Sequence, residues 1–284
     1  MTTRMMKVLP ALFIAALATA AFADNTTSVV GSSHDLSAGG KDVQGVVGQA
    51  QDQVCVYCHM PHNATNVGAP LWNRIGATAA TAFTMYSKAN SATFQLNAAD
   101  SNTAGRTVGP VSLACLSCHD GATAFNSLNQ TPMIDADNGK SASGVGGYTF
   151  TSGGKAVVTM ADASAPGAGS TTLGTDLTND HPISFTYDAA LATLKGTTLN
   201  DPTTTATNAG TTGALVILRA GTVAPNTIAA QMLFGGGGAV PTQLECASCH
   251  EPHMQGDMSL ATSNYPFLIK SNKGSNLCLT CHNK

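Results

Sequence analysis

The apolar residues of this 284-residue chain form one long run near its start and only short runs elsewhere. Val8–Ala21 is the long run, with two basic residues before it and Ala21-Phe22-Ala23 at its end. A basic start, a short apolar stretch and an A-x-A site are typical of a secretory signal peptide. Because the run is too short for a membrane anchor, we predict that residues 1–23 are removed and that the mature chain begins at Asp24.

After this segment, Gly and Pro interrupt nearly every stretch of the chain. Short β-branched runs, such as Lys155–Thr159 and Leu215–Leu218, are the strand candidates. This pattern predicts much coil, short helices and few short strands. Gly213–Leu218 reads as a core or strand-like segment, and no later stretch is apolar over enough residues to span a bilayer. The expectation is an exported protein without membrane insertion.

One five-residue pattern, C-x-x-C-H, occurs four times and contains all eight cysteines of the chain. It is the attachment signature of c-type haem: the two thiols add to the two vinyl groups of the porphyrin, and the histidine ligates the iron. Zinc sites and thioredoxin-like redox pairs also use C-x-x-C, but neither explains the histidine that follows every time. The sequence therefore predicts four covalently bound haems, attached at Cys55, Cys58, Cys115, Cys118, Cys246, Cys249, Cys278 and Cys281, with the proximal ligands His59, His119, His250 and His282.

The histidines outside these motifs match the number of remaining axial positions on the irons. The chain has eight histidines, of which His34, His62, His181 and His253 lie outside the motifs. We interpret them as distal ligands, with Met60 and Met254 as the competing side chains beside the motifs. Two imidazoles on every iron would leave no open position for a substrate, which favours electron transfer over enzymatic catalysis.

Two of these distal candidates lie three residues after a proximal histidine: His62 after His59, and His253 after His250. Three residues reach at most ~10 Å, which is too short to circle the porphyrin to the opposite face. The proline before each one also keeps the chain extended and directs it away from its own motif. We therefore expect each to ligate a neighbouring haem.

Residues 24–284 are predicted to form a single tetrahaem domain with an internal repeat. The motifs form two pairs, around residues 55–119 and 246–282, joined by a Thr/Gly-rich segment at about 141–238. Each pair combines a C-x-x-C-H-x-P-H motif with a plain one, which indicates duplication of a two-haem module; chance similarity of short motifs is the alternative. Asp135–Gly139 is interpreted as a polar turn rather than a calcium loop.

Charge and composition narrow the classes of partner. The formal net charge of −3 argues against nucleic acid as a partner. Disorder is disfavoured because high net charge and low hydrophobicity are both absent. With only 5% aromatic residues, the chain has few large core side chains, and four porphyrins would supply the missing apolar volume.

Taken in order, the motifs of this sequence resemble those of the doubled-CxxCH multihaem c-type cytochromes. The similarity is closest to the outer-membrane tetrahaem cytochromes that polymerise into extracellular filaments. It is carried by residues 32–37 (SSHDLS), 55–63 (CVYCHMPHN), 70–74 (PLWNR), 115–121 (CLSCHDG), 179–183 (NDHPI), 246–253 (CASCHEPH) and 277–284 (LCLTCHNK).

This resemblance implies a mostly coiled polypeptide wrapped around a closely packed chain of four bis-histidine haems. It also implies subunits that stack into a homopolymer, with one distal histidine supplied by the adjacent subunit. His34, near the N-terminus, is the candidate for that role.

The implied function is a secreted or cell-surface filament that conducts electrons to other cytochromes or metal oxides. A monomeric periplasmic or surface electron carrier is the alternative, and a multihaem reductase with an open haem site is a third hypothesis.

Overall fold

The computed structural model describes the four motifs, all eight histidines and the segments around them. It covers residues 29–37, 54–65, 68–74, 82–97, 100, 106–125, 127–129, 172–204, 207–208, 211–214, 227–235, 240–253, 267–270 and 272–283. The predicted signal peptide, the turn at 135–139, the runs at 155–159 and 215–218, and Met254 lie outside the described residues.

The described residues fold into short elements. The α-helices are α1 (Pro110–His119), α2 (Ala189–Leu194), α3 (Ile228–Met232) and α4 (Cys278–Cys281), and short 3-10 helices span Val54–Tyr57, Gly196–Thr198, Cys246–Ser248 and Lys273–Ser275. The strands are β1 (Phe185–Thr186), β2 (Thr207–Asn208), β3 (Thr211–Ala214) and β4 (Gln243–Leu244). Among these residues, no helix is long and apolar enough to cross a membrane. The predicted packing of the chain around haems stays a prediction.

The strands form two antiparallel pairs, one between distant segments and one within a hairpin. Strand β1 pairs with β4, so that Phe185 lies opposite Leu244, and β2 pairs with β3. The β1–β4 pair brings the chain that follows His181 beside the chain that enters the third motif.

The helices begin where the sequence supplies an N-terminal signal. Helix α1, which carries the second motif, starts with Pro110 at its first turn, where a missing N–H costs little. In α2, the carboxylate of Asp188 accepts a hydrogen bond from the Leu191 amide at 2.8 Å, and in α3 Thr227 caps the Ala230 amide at 3.2 Å. Such caps satisfy amides that lack a partner within the helix.

Three apolar clusters pack against the motifs. The largest is built from β1, α2, α3 and β4, and half-buried Cys281 of the fourth motif packs against it. The second cluster consists of Val56, Tyr57, Phe125 and Leu128, and it contacts both Cys58 and Cys118. A third cluster lies around Leu116 on the other side of α1. The first and second motifs therefore share one apolar contact region.

Candidate haem-binding site

Each C-x-x-C-H motif folds into a single helical turn. The second motif is the last turn of α1. In the other three, the histidine amide donates to the carbonyl of the first cysteine, at 2.8 Å for His59, 3.1 Å for His250 and 2.9 Å for His282. One turn of helix advances about 3.6 residues, so the two thiols and the imidazole project from neighbouring positions. This geometry fits a group attached through both thiols and ligated by the histidine.

Three of the four motif histidines lie beside a histidine from outside the motifs. The ring centroids are 6.0 Å apart for His59 and His253, 6.2 Å for His119 and His34, and 6.3 Å for His282 and His181. The interplanar angles of these pairs are 18°, 74° and 75°, respectively. Each pair thus joins one predicted proximal ligand to one predicted distal ligand.

These separations fit two imidazoles on opposite sides of one metal ion. A metal–imidazole bond is about 2.0 Å long and the ring centre lies roughly 1 Å beyond the nitrogen, which places the two centroids roughly 6 Å apart. Aromatic rings in direct contact span a similar range. The choice of partners is therefore the stronger observation, because all three pairs combine a motif histidine with one from outside the motifs.

Hydrogen bonds at Nδ1 orient four of the rings. The Nδ1–H of His59 donates to the Pro70 carbonyl at 2.7 Å, and that of His181 donates to the Pro182 carbonyl at 2.8 Å. His253 donates to the Glu251 carboxylate at 2.7 Å, which raises the pKa of His253. The fourth is His34, whose Nδ1–H donates to the Pro252 carbonyl at 3.3 Å. A metal-ligating histidine usually donates its second ring N–H in this way, and Nε2 is then the ligating atom.

The surroundings of His34 favour its neutral form. A turn closed by Asp35 holds this residue in place: the Asp35 carboxylate accepts hydrogen bonds from the Gly31 amide at 2.7 Å and from the Ser37 hydroxyl at 2.6 Å. Burial lowers the pKa of His34 to about 4, and the nearby His119 ring lowers it as well. A neutral imidazole is the form that ligates metals.

His62 and His250 have no ring partner among the residues that the structure describes. His62 is exposed on the turn after the first motif. The structure places His34 beside His119 of its own chain, and its role as a ligand to a neighbouring subunit stays a prediction. His253 lies beside His59 of the first motif, and its ligation of a neighbouring haem stays a prediction.

The thiols of successive motifs lie close together. Cys58 and Cys118 contact the same apolar cluster. The Cys115 thiol donates to the Val111 carbonyl at 3.7 Å, and the neighbouring Cys246 thiol raises the pKa of Cys115. Burial raises the pKa of the Cys249 thiol to about 11, and the nearby Cys278 thiol adds to this effect. The attachment points therefore follow chain order from the first motif to the fourth.

The two ends of this thiol series reach the surface. Cys55 of the first motif and Cys278 of the fourth are exposed, whereas the other six cysteines are partly buried. Groups attached at the end motifs would consequently be the ones nearest to solvent.

Asn73 and Arg74 bind the interiors of two different motifs. The side-chain carboxamide of Asn73 donates to the Val56 carbonyl at 2.7 Å, and its main-chain amide donates to the Cys58 carbonyl at 2.8 Å. The Arg74 guanidinium donates to the Ser117 carbonyl through two nitrogens, at 3.0 and 3.2 Å. Both side chains are buried, so two consecutive residues hold the first and second motifs together.

Glu245 joins the second motif to the third. Its buried carboxylate accepts hydrogen bonds from the Ser112 hydroxyl and from the Ser184 hydroxyl, the latter at 3.0 Å. Ser112 also accepts a hydrogen bond from the Cys246 amide at 3.0 Å. The carboxylate lies against Gly109 at the start of α1, where any Cβ would collide with it, and a negative charge there is favourable to the helix dipole. Burial raises the pKa of Glu245 in spite of the serine hydrogen bonds.

Sequence reasoning did not single out Asn73, Arg74 or Glu245 as functional residues. Asn73 and Arg74 occur in a segment quoted only for its resemblance, and Glu245 precedes a motif without belonging to it. Polar residues of these types are usually exposed. Their burial is what points to a role, and it cannot be read from the sequence.

Neither a bare metal site, in the part of the chain that the structure describes, nor a matching protein family was found for this site. Among the described residues, no three or more His, Cys, Asp or Glu side chains converge as a bare metal site would require. In comparisons with known proteins, no family model matches this sequence, and no curated protein matches it.

Proposed function

We propose that this protein is an exported electron-transfer cytochrome that carries four covalently attached c-type haems. The observation that supports it best is the set of three imidazole pairs with centroids 6.0–6.3 Å apart. Each pair combines a motif histidine with one from outside the motifs, which is the donor set of a bis-histidine haem.

In this proposal, the residues of the chain hold and orient the haems. The paired cysteines would anchor each porphyrin, and His59, His119 and His282 would bind iron together with His253, His34 and His181, respectively. The Nδ1 hydrogen bonds keep the rings in the ligating tautomer. When bound, haem iron supplies reversible one-electron chemistry. The contacts between successive motifs favour transfer from one haem to the next.

We further propose that copies of the chain polymerise into an extracellular filament. Two histidines remain outside the three imidazole pairs: His62, which is exposed, and His250, which belongs to the third motif. If His62 of one copy ligates the iron held by His250 of the next copy, every iron obtains two imidazoles. His62 therefore replaces His34 as the candidate for the crossing ligand, and the exposed positions of Cys55 and Cys278 fit electron exchange between stacked copies.

The test is to purify the exported protein and determine its haem content, spin state and assembly. Four haems per chain by pyridine haemochrome and mass spectrometry, with low-spin spectra, are the expected result. Absence of covalent haem would overturn the proposal. Carbon monoxide binding by the reduced, assembled wild-type protein would instead favour a reductase; an unassembled copy would lack the second imidazole at the iron held by His250. Electron microscopy separates filaments from the monomeric carrier, which would stay dispersed at every concentration.

A further inference from the structure

Arg74 places a positive charge inside the protein at the junction of the first two motifs. Its side chain is only 3% exposed. Its hydrogen-bond partners among the described residues are all main-chain carbonyls: Ser117, Phe125 at 2.9 Å and Ala124 at 2.8 Å. Carbonyl dipoles satisfy the donors of the guanidinium without neutralising its charge.

This charge lies close to attachment cysteines of both motifs. Ser117, which accepts two of the hydrogen bonds, is one of the two residues between Cys115 and Cys118. On the other side, Asn73 binds the Cys58 carbonyl. Arg74, the next residue, therefore lies beside the main chains of both motifs.

A buried charge has a strong influence on redox centres around it. Coulomb interactions are several-fold stronger at the effective dielectric of a protein than in water, and salt screens them less. A haem that gains an electron becomes more negative, so a fixed positive charge stabilises its reduced form. The buried carboxylate of Glu245 has the opposite sign; it precedes Cys246 of the third motif and also accepts a hydrogen bond from Ser112 of α1.

We propose that Arg74 raises the reduction potentials of the haems attached at the first and second motifs, so that electrons reside preferentially at this end of the molecule. This inference rests on the proposed function, since it requires haems at both motifs. Arg74 acts here through its charge on the haem environment, in addition to joining the two motifs.

The experiment is a spectroelectrochemical titration of the holoprotein and of matched variants. Arg74→Met removes the charge, whereas Arg74→Lys keeps the charge and loses the forked hydrogen bonding. Lys88→Met removes an exposed charge as a control. In Arg74→Met, we expect the equilibrium constant for reduction of the high-potential haems to fall about tenfold. For a one-electron couple, this is a decrease of ~59 mV in the reduction potential. Arg74→Lys and Lys88→Met should titrate like the wild type.

The outcomes separate the inference from the function on which it rests. Wild-type protein without four haems would remove the proposed function itself. Four haems with wild-type potentials in Arg74→Met, or an equal fall in Arg74→Lys, would overturn the role of the charge.

If Arg74→Met does not accumulate, a second variant tests the potential of the haem attached at the first motif. Replacing Cys55 and Cys58 by alanine removes the first haem, and we expect a high-potential component to disappear from the titration. Loss of a low-potential component would contradict the inference.

Discussion

The imidazole rings of His181 and His282 lie 6.3 Å apart, although one belongs to a loop before β1 and the other to the last motif. The chain after α2 holds the last motif in this position. The Asn200 amide donates to the Cys281 carbonyl at 2.8 Å, and the Asn283 amide donates to the Thr198 carbonyl at 3.0 Å. The pair therefore depends on main-chain contacts on both sides of His282.

Replacing His181 should open one iron to an external ligand. In His181→Ala, we expect four attached haems and carbon monoxide binding to about one haem per reduced chain, because only the fourth motif loses its distal imidazole. A carbon monoxide difference spectrum measures this. Asn179→Ala, an exposed neighbour, is the control and should bind no more carbon monoxide than the wild type. A His181→Ala protein without carbon monoxide binding would show that this histidine does not ligate the iron.

His62 and His34 should behave differently when each is replaced. His62→Ala should retain four haems but remain dispersed in electron micrographs, because the ligand between copies is lost. His34→Ala should still form filaments and should bind carbon monoxide when reduced, since its partner His119 lies in the same chain. The reverse result, dispersed His34→Ala and filamentous His62→Ala, would restore His34 as the crossing ligand.

Asn73→Ala should destabilise the holoprotein. The substitution leaves the buried Val56 carbonyl without its 2.7 Å hydrogen bond, and such a loss costs about 1–3 kcal/mol. Guanidinium denaturation followed by haem absorbance measures the change. Asn90→Ala is the matched control: its carboxamide accepts a 2.8 Å hydrogen bond from the Ser87 amide at an exposed turn. Equal losses in the two variants would contradict a structural role for the Asn73 bond between the motifs.

Glu245 should give the folding stability a component that declines as pH rises. Burial raises the pKa of Glu245 in the folded state, so ionisation costs the folded protein more than the unfolded chain. This contribution is fully present below the ordinary glutamate pKa of about 4.3, and it is lost as pH rises through the raised value.

Denaturation curves at several pH values test this component. Glu245→Gln cannot ionise, so we expect its free energy of unfolding to change less between acidic and neutral pH than that of the wild type. The variant should also lose part of its stability at all pH values, because one of the two acceptor oxygens is replaced by a donor. Identical pH profiles for the two proteins would mean that the carboxylate does not titrate differently on folding.

The chemistry predicted at the motifs came from local sequence. Two cysteines and a histidine within five residues occupy one helical turn, and the structure has such a turn at all four motifs. The short helices and strands of the described residues likewise agree with a chain interrupted by Gly and Pro. The haems, the filament and the export remain predictions, because their tests require the holoprotein.

The sequence by itself determined which residues are predicted to attach and ligate haem, because that prediction uses only five consecutive residues and the number of histidines left over. Only the tertiary structure decided that His34 lies beside His119 and His253 beside His59, since the members of each pair are far apart in the sequence and no local pattern brings them together. The same holds for Arg74 and Glu245. Their importance comes from burial between motifs, where a charge interacts strongly with its surroundings, and burial is a property of the folded chain.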